Sequence, residues 1–505
     1  MSKLRLLLVA ISMGILPVTT SYASDTLRID RRVWQNIRSD RCFAGEIWEN
    51  PALKFFMNQA PLSQLQMEGF AHKETESVSL QQGDGEHGFA VKANSVLRFT
   101  PESEIRGTAE YVNKKRKSVL WNESSDYETI YPYVSADEQG GDLNSETYRF
   151  SGEYVHSAGA YTWAARLAYQ AVMEFRNADP RPKNTVSDLL FTIAGSRKIA
   201  GDYRGALSFH AGKYKQDNTL KFFSALGGTT IYHLTGLGMH YVRFAGSNTN
   251  ALYDGASFGG SIDLLPEHKQ GVFASAGYHR FGYDKQMKDL GDITLCTLKA
   301  DKFSGEVSYM DGQKGIKASI IHKKRSGTEH VFGSPNGGIY PVINSVKSFS
   351  DVRNEFKLEG IYGQSSPTLS WNLISEVSLL SMDINYPEPE RKICGKQANL
   401  RVSWENNKVF QHSSLTTIFS LGYRRSLSAT RRMEGQKETD ILKPLTDNTF
   451  QLLSSHLSML SGTARWDIPV SFVKGGIFLQ ADVEYSRYHN FTTAWSAVLS
   501  LGLTF

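Results

Sequence analysis

Ala494-Trp495-Ser496-Ala497-Val498-Leu499-Ser500-Leu501-Gly502-Leu503-Thr504-Phe505 ends the chain with apolar residues on every second position and an aromatic residue at the carboxyl terminus. As a strand it places Trp495, Ala497, Leu499, Leu501, Leu503 and Phe505 on one face, and Ser496, Val498, Ser500, Gly502 and Thr504 on the other. That pattern suits lipid outside and a wet lumen inside, as in an outer-membrane β-barrel. A buried terminal strand of a soluble sandwich carries a similar alternation. The start of the chain arbitrates.

Lys3 and Arg5 precede an apolar run from Leu6 to Val18, and Ser21-Tyr22-Ala23 supplies a small-x-small site, which predicts residues 1–23 as a cleaved signal peptide. The mature chain is therefore expected outside the cytoplasm. No Cys follows closely enough for a lipid anchor, and no later stretch reaches the roughly 18 uninterrupted apolar residues of a membrane helix. A membrane protein with this sequence has to cross as strands.

The 505 residues are 40% hydrophobic with a mean hydropathy of -0.34. Barrel strands alternate polar with apolar and average to such values, so mean hydropathy does not decide. The chain holds 23 Tyr, 27 Phe and 43 Gly against 15 Pro, enough for aromatic girdles and tight turns, although a large soluble all-β protein is equally compatible. A net charge of +5, from 56 basic and 51 acidic residues, is too balanced for a nucleic-acid partner. Basic runs at Lys114-Lys115-Arg116-Lys117, Lys323-Lys324-Arg325, Arg424-Arg425 and Arg431-Arg432 suit either lipopolysaccharide phosphates or solvated loops. Cys42, Cys296 and Cys394 leave an odd count without metal-ligand spacing; a Cys296 to Cys394 bridge between outer loops is one expectation, and free thiols the other.

Alternation recurs along nearly the whole mature chain. From Tyr161 to Phe175 the set Tyr161, Trp163, Ala165, Leu167, Tyr169, Ala171, Met173 and Phe175 opposes Thr162, Ala164, Arg166, Ala168, Gln170, Val172 and Glu174. A soluble strand of this length is unusual. Short turns are expected near Pro101, Gly159, Gly201, Pro266, Gly312, Gln364, Asn406 and Pro469, on a periplasmic side. Between them lie longer polar segments, 118–145, 177–185, 215–254, 282–301, 326–350, 383–396 and 426–449, on an extracellular side. The count is about 18 antiparallel strands, within a range of about 16 to 20, in an all-β transmembrane barrel over residues 63–505.

Residues 24–62 do not alternate. Parts of 28–42 and 51–58 have helical character, with Val33, Trp34 and Ile37 able to share a face. The segment is read equally as a lumenal or periplasmic piece and as a partly ordered leader. Fewer than about 50 residues ahead of the barrel are too few for a folded energy-coupling plug domain.

Asp179-Pro180-Arg181-Pro182-Lys183-Asn184-Thr185-Val186-Ser187-Asp188-Leu189 is the most distinctive stretch; the two prolines fix φ and predict a stiff loop, with Asp188 opening the next strand. Together with Lys213-Tyr214-Lys215-Gln216-Asp217-Asn218, Leu234-Thr235-Gly236-Leu237-Gly238 and Tyr253-Asp254-Gly255-Ala256-Ser257-Phe258-Gly259-Gly260, it resembles a domain-of-unknown-function family of Gram-negative outer-membrane β-barrels. The resemblance extends over the mature chain. It implies fold and location, and carries over no catalytic or binding residue.

The polar face contributes Arg106, Glu110, Arg149, Glu153, Arg166, Glu174, Arg204, His210, Glu306, Lys317, Lys357, Glu359, Glu376, Arg401, Asp482 and Glu484 as lumen-facing candidates. Both signs are mixed, so bracing of the wall by charge-assisted hydrogen bonds is the plain reading, and guidance of a solute the sharper one. No nucleophile elbow, zinc helix or phosphate loop appears, and no cofactor or metal is expected; Gly255 to Gly260 reads as a loop or a strand with small residues toward lipid. Ser208 beside His210 is the one pairing an enzyme acting on lipid or peptide would draw on.

The expected function is a channel or the barrel subunit of a solute-uptake system, and not an enzyme. The alternative is a membrane anchor whose loops recruit a surface or periplasmic protein. Expected partners are outer-membrane lipid and lipopolysaccharide, the assembly machinery that reads Trp495, Leu499, Leu501, Leu503 and Phe505, and a receptor or periplasmic protein.

Overall fold

The computed structural model describes residues 29–37, 39, 43–57, 62–199, 201–224, 228–246, 250–338, 340–470 and 475–505; the expected signal peptide and Cys42 lie outside them. Eighteen strands form one antiparallel sheet. The first six are β1 Gln64–Glu74, β2 Gly85–Thr100, β3 Ser103–Val119, β4 Gly141–Ala158, β5 Tyr161–Phe175 and β6 Arg181–Lys198. Next come β7 Tyr203–Lys221, β8 Ala251–Pro266, β9 Gly271–Met287, β10 Ile293–Asp311, β11 Lys314–Phe332 and β12 Val342–Ser365. The last are β13 Leu369–Tyr386, β14 Arg391–Val409, β15 Ser414–Met433, β16 Leu457–Val470, β17 Gly475–Tyr488 and β18 Thr492–Thr504.

Each strand pairs with its sequence neighbour, and β18 pairs back onto β1 in a register running from Gln64 opposite Thr504 to Glu74 opposite Ala494. Closure leaves the sheet without an edge, which is how a β-structure satisfies its backbone in lipid. Alternation decides the faces. Leu207, Ile262, Ile320, Leu379, Leu421 and Leu499 are exposed on the outside, a distribution a water-soluble surface does not tolerate over such an area. Ser496, Ser500 and Thr504 of the terminal strand point inward, as their spacing predicts.

Outward charges mark where lipid ends. Arg280 Nε donates to Asp301 Oδ1 at 2.7 Å, beside Tyr278, whose hydroxyl donates to the same carboxylate. Residues of β9 to β11 beyond this level stand outside the hydrocarbon layer. The strands are 11 to 24 residues long, so several protrude well past it. Protrusion explains why the long polar segments overestimate the loops: within 282–301 only Lys288 to Asp292 connects β9 to β10.

Short connections lie at one end, at 101–102, 159–160, 267–270 and 312–313 among others. The turns expected near Gln364 and Asn406 fall later, at 366–368 and 410–413. Asn406 stays paired with Thr417, and the neighbouring Asn407 donates to Thr416 Oγ1 at 2.9 Å, which keeps β14 extended. The Asp-Pro-Arg-Pro segment also differs from expectation: β6 begins at Arg181, and Asp188 lies within it. Asp179 accepts two backbone N–H groups, from Phe223 and Ser224, both at 2.6 Å. Gly255 to Gly260 is part of β8, with Gly259 facing the lumen. Cys296 and Cys394 are free thiols, four strands apart, so the bridge does not form.

Candidate functional site

The inside of the barrel is built in three levels: a floor at the short-turn end, a charged chamber, and a roof at the long-loop end. The floor is the amino-terminal segment. Phe43, Ala44, Ile47, Trp48 and Leu53 are buried against the inward residues Ala206, Leu265, Phe273, Met310 and Ile361. Burying such side chains stabilises by on the order of 1.5–3 kcal/mol each. Helix α1, Ile29–Ile37, buries Val33 and Trp34, and Ile29 meets Gly476 of β17, where an added Cβ would lie 3.1 Å from its methyl group.

Polar contacts tie this segment to strands around the wall. Arg106 Nη2 donates to Lys54 O at 2.8 Å, Asn50 Nδ2 to Asp263 Oδ2 at 2.8 Å, Lys317 Nζ to Phe43 O at 2.9 Å and Lys269 Nζ to Met57 O at 2.8 Å. Arg98 stacks over Phe55 and Arg204 over Phe56, at 4.7 and 4.3 Å. Of the expected lumen residues, Arg106, Glu153, Arg204, Glu306, Lys317 and Glu359 thus belong to the floor. Arg106 also reaches Glu153 at 3.4 Å, Lys317 pairs with Glu359 at 2.7 Å, and Glu306 lies against Gly45.

Above the floor, Lys92 lies 2.7 Å from Glu68 and 3.5 Å from Glu110, and Arg149 lies 2.8 Å from Glu110 and donates to Gln170 at 2.7 Å. This belt crosses β1 to β5. With Arg166 and Asp188 it lines a cavity of ≈ 400 Å³. Further round, Lys357 sits between Glu359 and Glu376, at 3.9 and 4.0 Å, and Asp482 accepts from Thr463 and Gln480. Arg401 on β14 and Glu484 on β17 face inward and are exposed to the lumen. His210 Nε2 is 2.8 Å from His279 Nδ1, while Ser208 bonds to Ser261, so this serine and histidine do not form a nucleophile–base pair. Gly259 is required beside His210, since a Cβ there would come within 2.7 Å of the ring.

The roof is made of loops folded into the mouth. Ser135–Ala136, Tyr232–Gly236 and Met239–His240 pair as a small three-stranded sheet. Trp121, Ile130, Tyr133, Val134, Leu234, Leu237 and Phe244 pack with wall residues including Tyr253, Tyr283, Met287, Leu295 and Phe349. Gly327 admits Tyr133: an added Cβ would overlap the phenol. Beside this apolar cluster, at the loop ends of β5 to β7, Glu123, Asp137 and Arg176 form an ion triad with side chains no more than 1% exposed, and Arg116 holds Glu174 at 2.7 Å nearby. Asn184 and Asn218 both donate to Glu123 O, fastening the loop to β6 and β7.

Burial sets the roof's titration. Lys285, cross-strand from Cys296, is pushed down to about 7 by burial, and its Nζ has no hydrogen-bond partner among the described residues. Glu329 is pushed up to about 7, again by burial first, while accepting from Tyr386 at 2.8 Å. Both stand beyond the level of Arg280 and Asp301.

By strand alternation the expected lumen residues share the face opposite the exposed apolar one. The same alternation also marks Glu104, Asp263 and Arg98, which the sequence reading passed over. Glu123, Asp137 and Arg176 carry no such signal, because the first two sit in an irregular loop and the third just past the end of a strand.

A closed eighteen-stranded antiparallel barrel with a lipid-facing apolar belt defines an outer-membrane β-barrel protein of a Gram-negative cell. The chain belongs to the Family of unknown function (DUF6850), whose model matches residues 51–505. No curated protein matches it. Among solved structures it is similar to BauA, the ferric preacinetobactin receptor from Acinetobacter baumannii, at 8% identity and a TM-score of 0.40, covering 88% of this chain and 80% of that one. It is also similar to the siderophore receptor PiuA from Acinetobacter baumannii, at 8% identity and a TM-score of 0.39, covering 87% and 82%. For the outer membrane transporter YddB from Escherichia coli the values are 9% and 0.39, covering 87% and 81%.

Proposed function

We propose that this barrel is a gated pathway for solute uptake across the outer membrane, described in its shut state. The observation that carries the reading is the pairing of two separate closures with a charged chamber between them. A mere anchor has no need of a wet interior: Arg149 keeps 48% of its side chain exposed inside the barrel. Eighteen strands also give a cylinder wide enough for an aqueous pathway once the closures move.

In this reading residues 1–23 are removed on export and residues 29–37 and 43–57 form the floor. That floor is one short segment docked at the short-turn end, which makes it the closure a periplasmic partner reaches. The roof, with its continuous apolar cluster and ion triad, is the slower gate. Outward cations such as Lys324, Lys396 and Arg425 suit the phosphates of lipopolysaccharide around the outer rim.

Planar-bilayer conductance tests the reading with four proteins: the full chain, one lacking residues 29–57, one lacking loop residues 122–138, and one lacking both. The full chain is expected to stay shut and the double deletion to conduct steadily. A folded double deletion that never conducts would instead favour the anchor, for which the exposed Val242 and Ile343 outside the membrane, 76% and 66% accessible, offer a contact surface.

A further inference from the structure

We propose that the chamber wall carries a binding site for a small dipolar solute with a free carboxylate and a free ammonium, the carboxylate held by Arg166 and the ammonium by Asp188. The inference rests on the uptake reading, since the site occupies that pathway, but it concerns binding and is read out without passage.

Wall bracing accounts for the neighbours of these two residues and leaves them over. Lys92, Glu110, Arg149 and Gln170 satisfy one another along the belt. Arg166 and Asp188 line the same ≈ 400 Å³ cavity, yet neither makes a hydrogen bond or ion pair among the described residues. Their nearest alternatives are engaged elsewhere. Glu153, directly across the ladder from Arg166, turns to Arg106 of the floor, and Gln170, directly across from Asp188, takes Arg149. Asp188 is exposed to the chamber and Arg166 half-buried, so a solute there meets both directly. Here one of each sign is left free in one cavity.

The spacing selects the ligand. Arg166 and Gln170 share a face of β5 four residues apart, which sets Arg166 and Asp188 roughly 13 Å apart along the strand direction. Deducting the reach of the two side chains leaves a span that an extended peptide of two or three residues fills, at most about 10 Å long. The arginine fork accepts a carboxylate through two parallel N–H bonds. A simple anion meets Glu110 and Asp188, and a simple cation meets Lys92, Arg149 and Arg166. A dipolar molecule presents each end to the matching charge, so selectivity comes from repulsion as well as attraction.

Isothermal calorimetry on the detergent-solubilised full chain tests this with triglycine, N-acetyl-triglycine and triglycine amide. Triglycine is expected to bind at least tenfold more tightly than either capped form. Arg166→Gln should abolish the discrimination against the amide, and Asp188→Asn the discrimination against the acetylated form. Equal binding of the three peptides to the unaltered protein, or no binding of any to it and to the open double deletion lacking residues 29–57 and 122–138, overturns the proposal. The two readings fail separately: discrimination by a barrel that never conducts sinks the uptake pathway alone, and conductance without discrimination sinks this site alone.

Discussion

Arg176 Nη2 lies 2.9 Å from Asp137 Oδ2, and this contact, almost wholly shielded from water, ties the end of β5 to the loop that fills the outer mouth of the barrel. Glu123 shares the same guanidinium, so one cation serves two buried carboxylates. Removing the cation leaves both uncompensated. A buried pair broken in this way costs on the order of 3–5 kcal/mol, whereas replacing a whole ion cluster with apolar groups is often neutral.

Arg176→Met is therefore expected to release the loop while the eighteen-stranded wall persists. Intact cells bearing the variant should become cleavable by added protease within residues 120–140, and the purified barrel should show conductance bursts. The triple change Arg176→Met, Glu123→Gln, Asp137→Asn should restore part of the protection. A loop that stays uncleaved in the single variant removes the triad from the gate.

The floor responds to a different residue. Arg106 donates to Lys54 O and also pairs with Glu104, whose side chain is 1% exposed and, among the described residues, keeps only Arg98 if Arg106 is lost. Arg106→Gln is expected to weaken the docking of residues 43–57 by about 1.5–3 kcal/mol, the usual cost of losing hydrogen bonds to a charged group. Maleimide labelling of Ile47→Cys in a background without the native cysteines reads this out. The site should label slowly in the parent and severalfold faster with Arg106→Gln, and equal rates would show that apolar burial alone holds the floor.

The parts of this architecture that were legible in advance are those governed by a period of two. Trp495 and Leu499 had to share a face with Leu501, and the same rule placed Arg106, Glu110, Arg149 and Glu153 inside. The closures obey no period. Whether Glu123 and Asp137 stay in solvent or enter the barrel depends on Arg176, Asn184 and Asn218 meeting them from other strands, which no local pattern encodes. Polar runs overstate the loops because polar residues also populate strand ends that stand clear of lipid. The free state of Arg166 and Asp188 was hidden for a related reason: alternation gives a face, and pairing on that face is settled across strands.

Roof stability is expected to pass through a minimum near neutral pH. Glu329, raised to about 7, binds more protons in the closed state than in an opened one between its ordinary 4.5 and about 7, so its contribution is complete at low pH and is lost as pH rises through 7. Lys285, lowered to about 7 from 10.5, binds fewer protons when closed, so its penalty persists below 7 and is relieved as pH climbs toward 10.5. Each limb can reach roughly 1.4 kcal/mol per pH unit. Hydrogen-exchange protection of residues 120–140, taken relative to the intrinsic rate at each pH, should be lowest at pH 7 in a series at pH 5, 7 and 9. Glu329→Gln should flatten the acidic limb and Lys285→Met the alkaline one; a monotonic profile in the parent would contradict both assignments.

Deleting Phe505 should impair assembly far more than it destabilises the finished barrel. Its backbone N–H donates to Ser63 O at 3.0 Å and its carbonyl accepts from Ser63 N at 2.8 Å, which extends the β18 to β1 seam by one residue pair, and its ring, 46% exposed, points away from the lumen. Such a contact is a small part of a seam that runs from Gln64 to Glu74, so equilibrium unfolding should shift by little more than about 1 kcal/mol. If the terminal set Trp495, Leu499, Leu501, Leu503 and Phe505 is what the assembly machinery reads, cells expressing the deletion should instead accumulate unfolded chain in the periplasm. Comparing the heat-modifiable folded band in membranes with refolding of the same protein into detergent separates the two effects. Equal loss in both settings would make Phe505 a stabilising residue of the seam and nothing more.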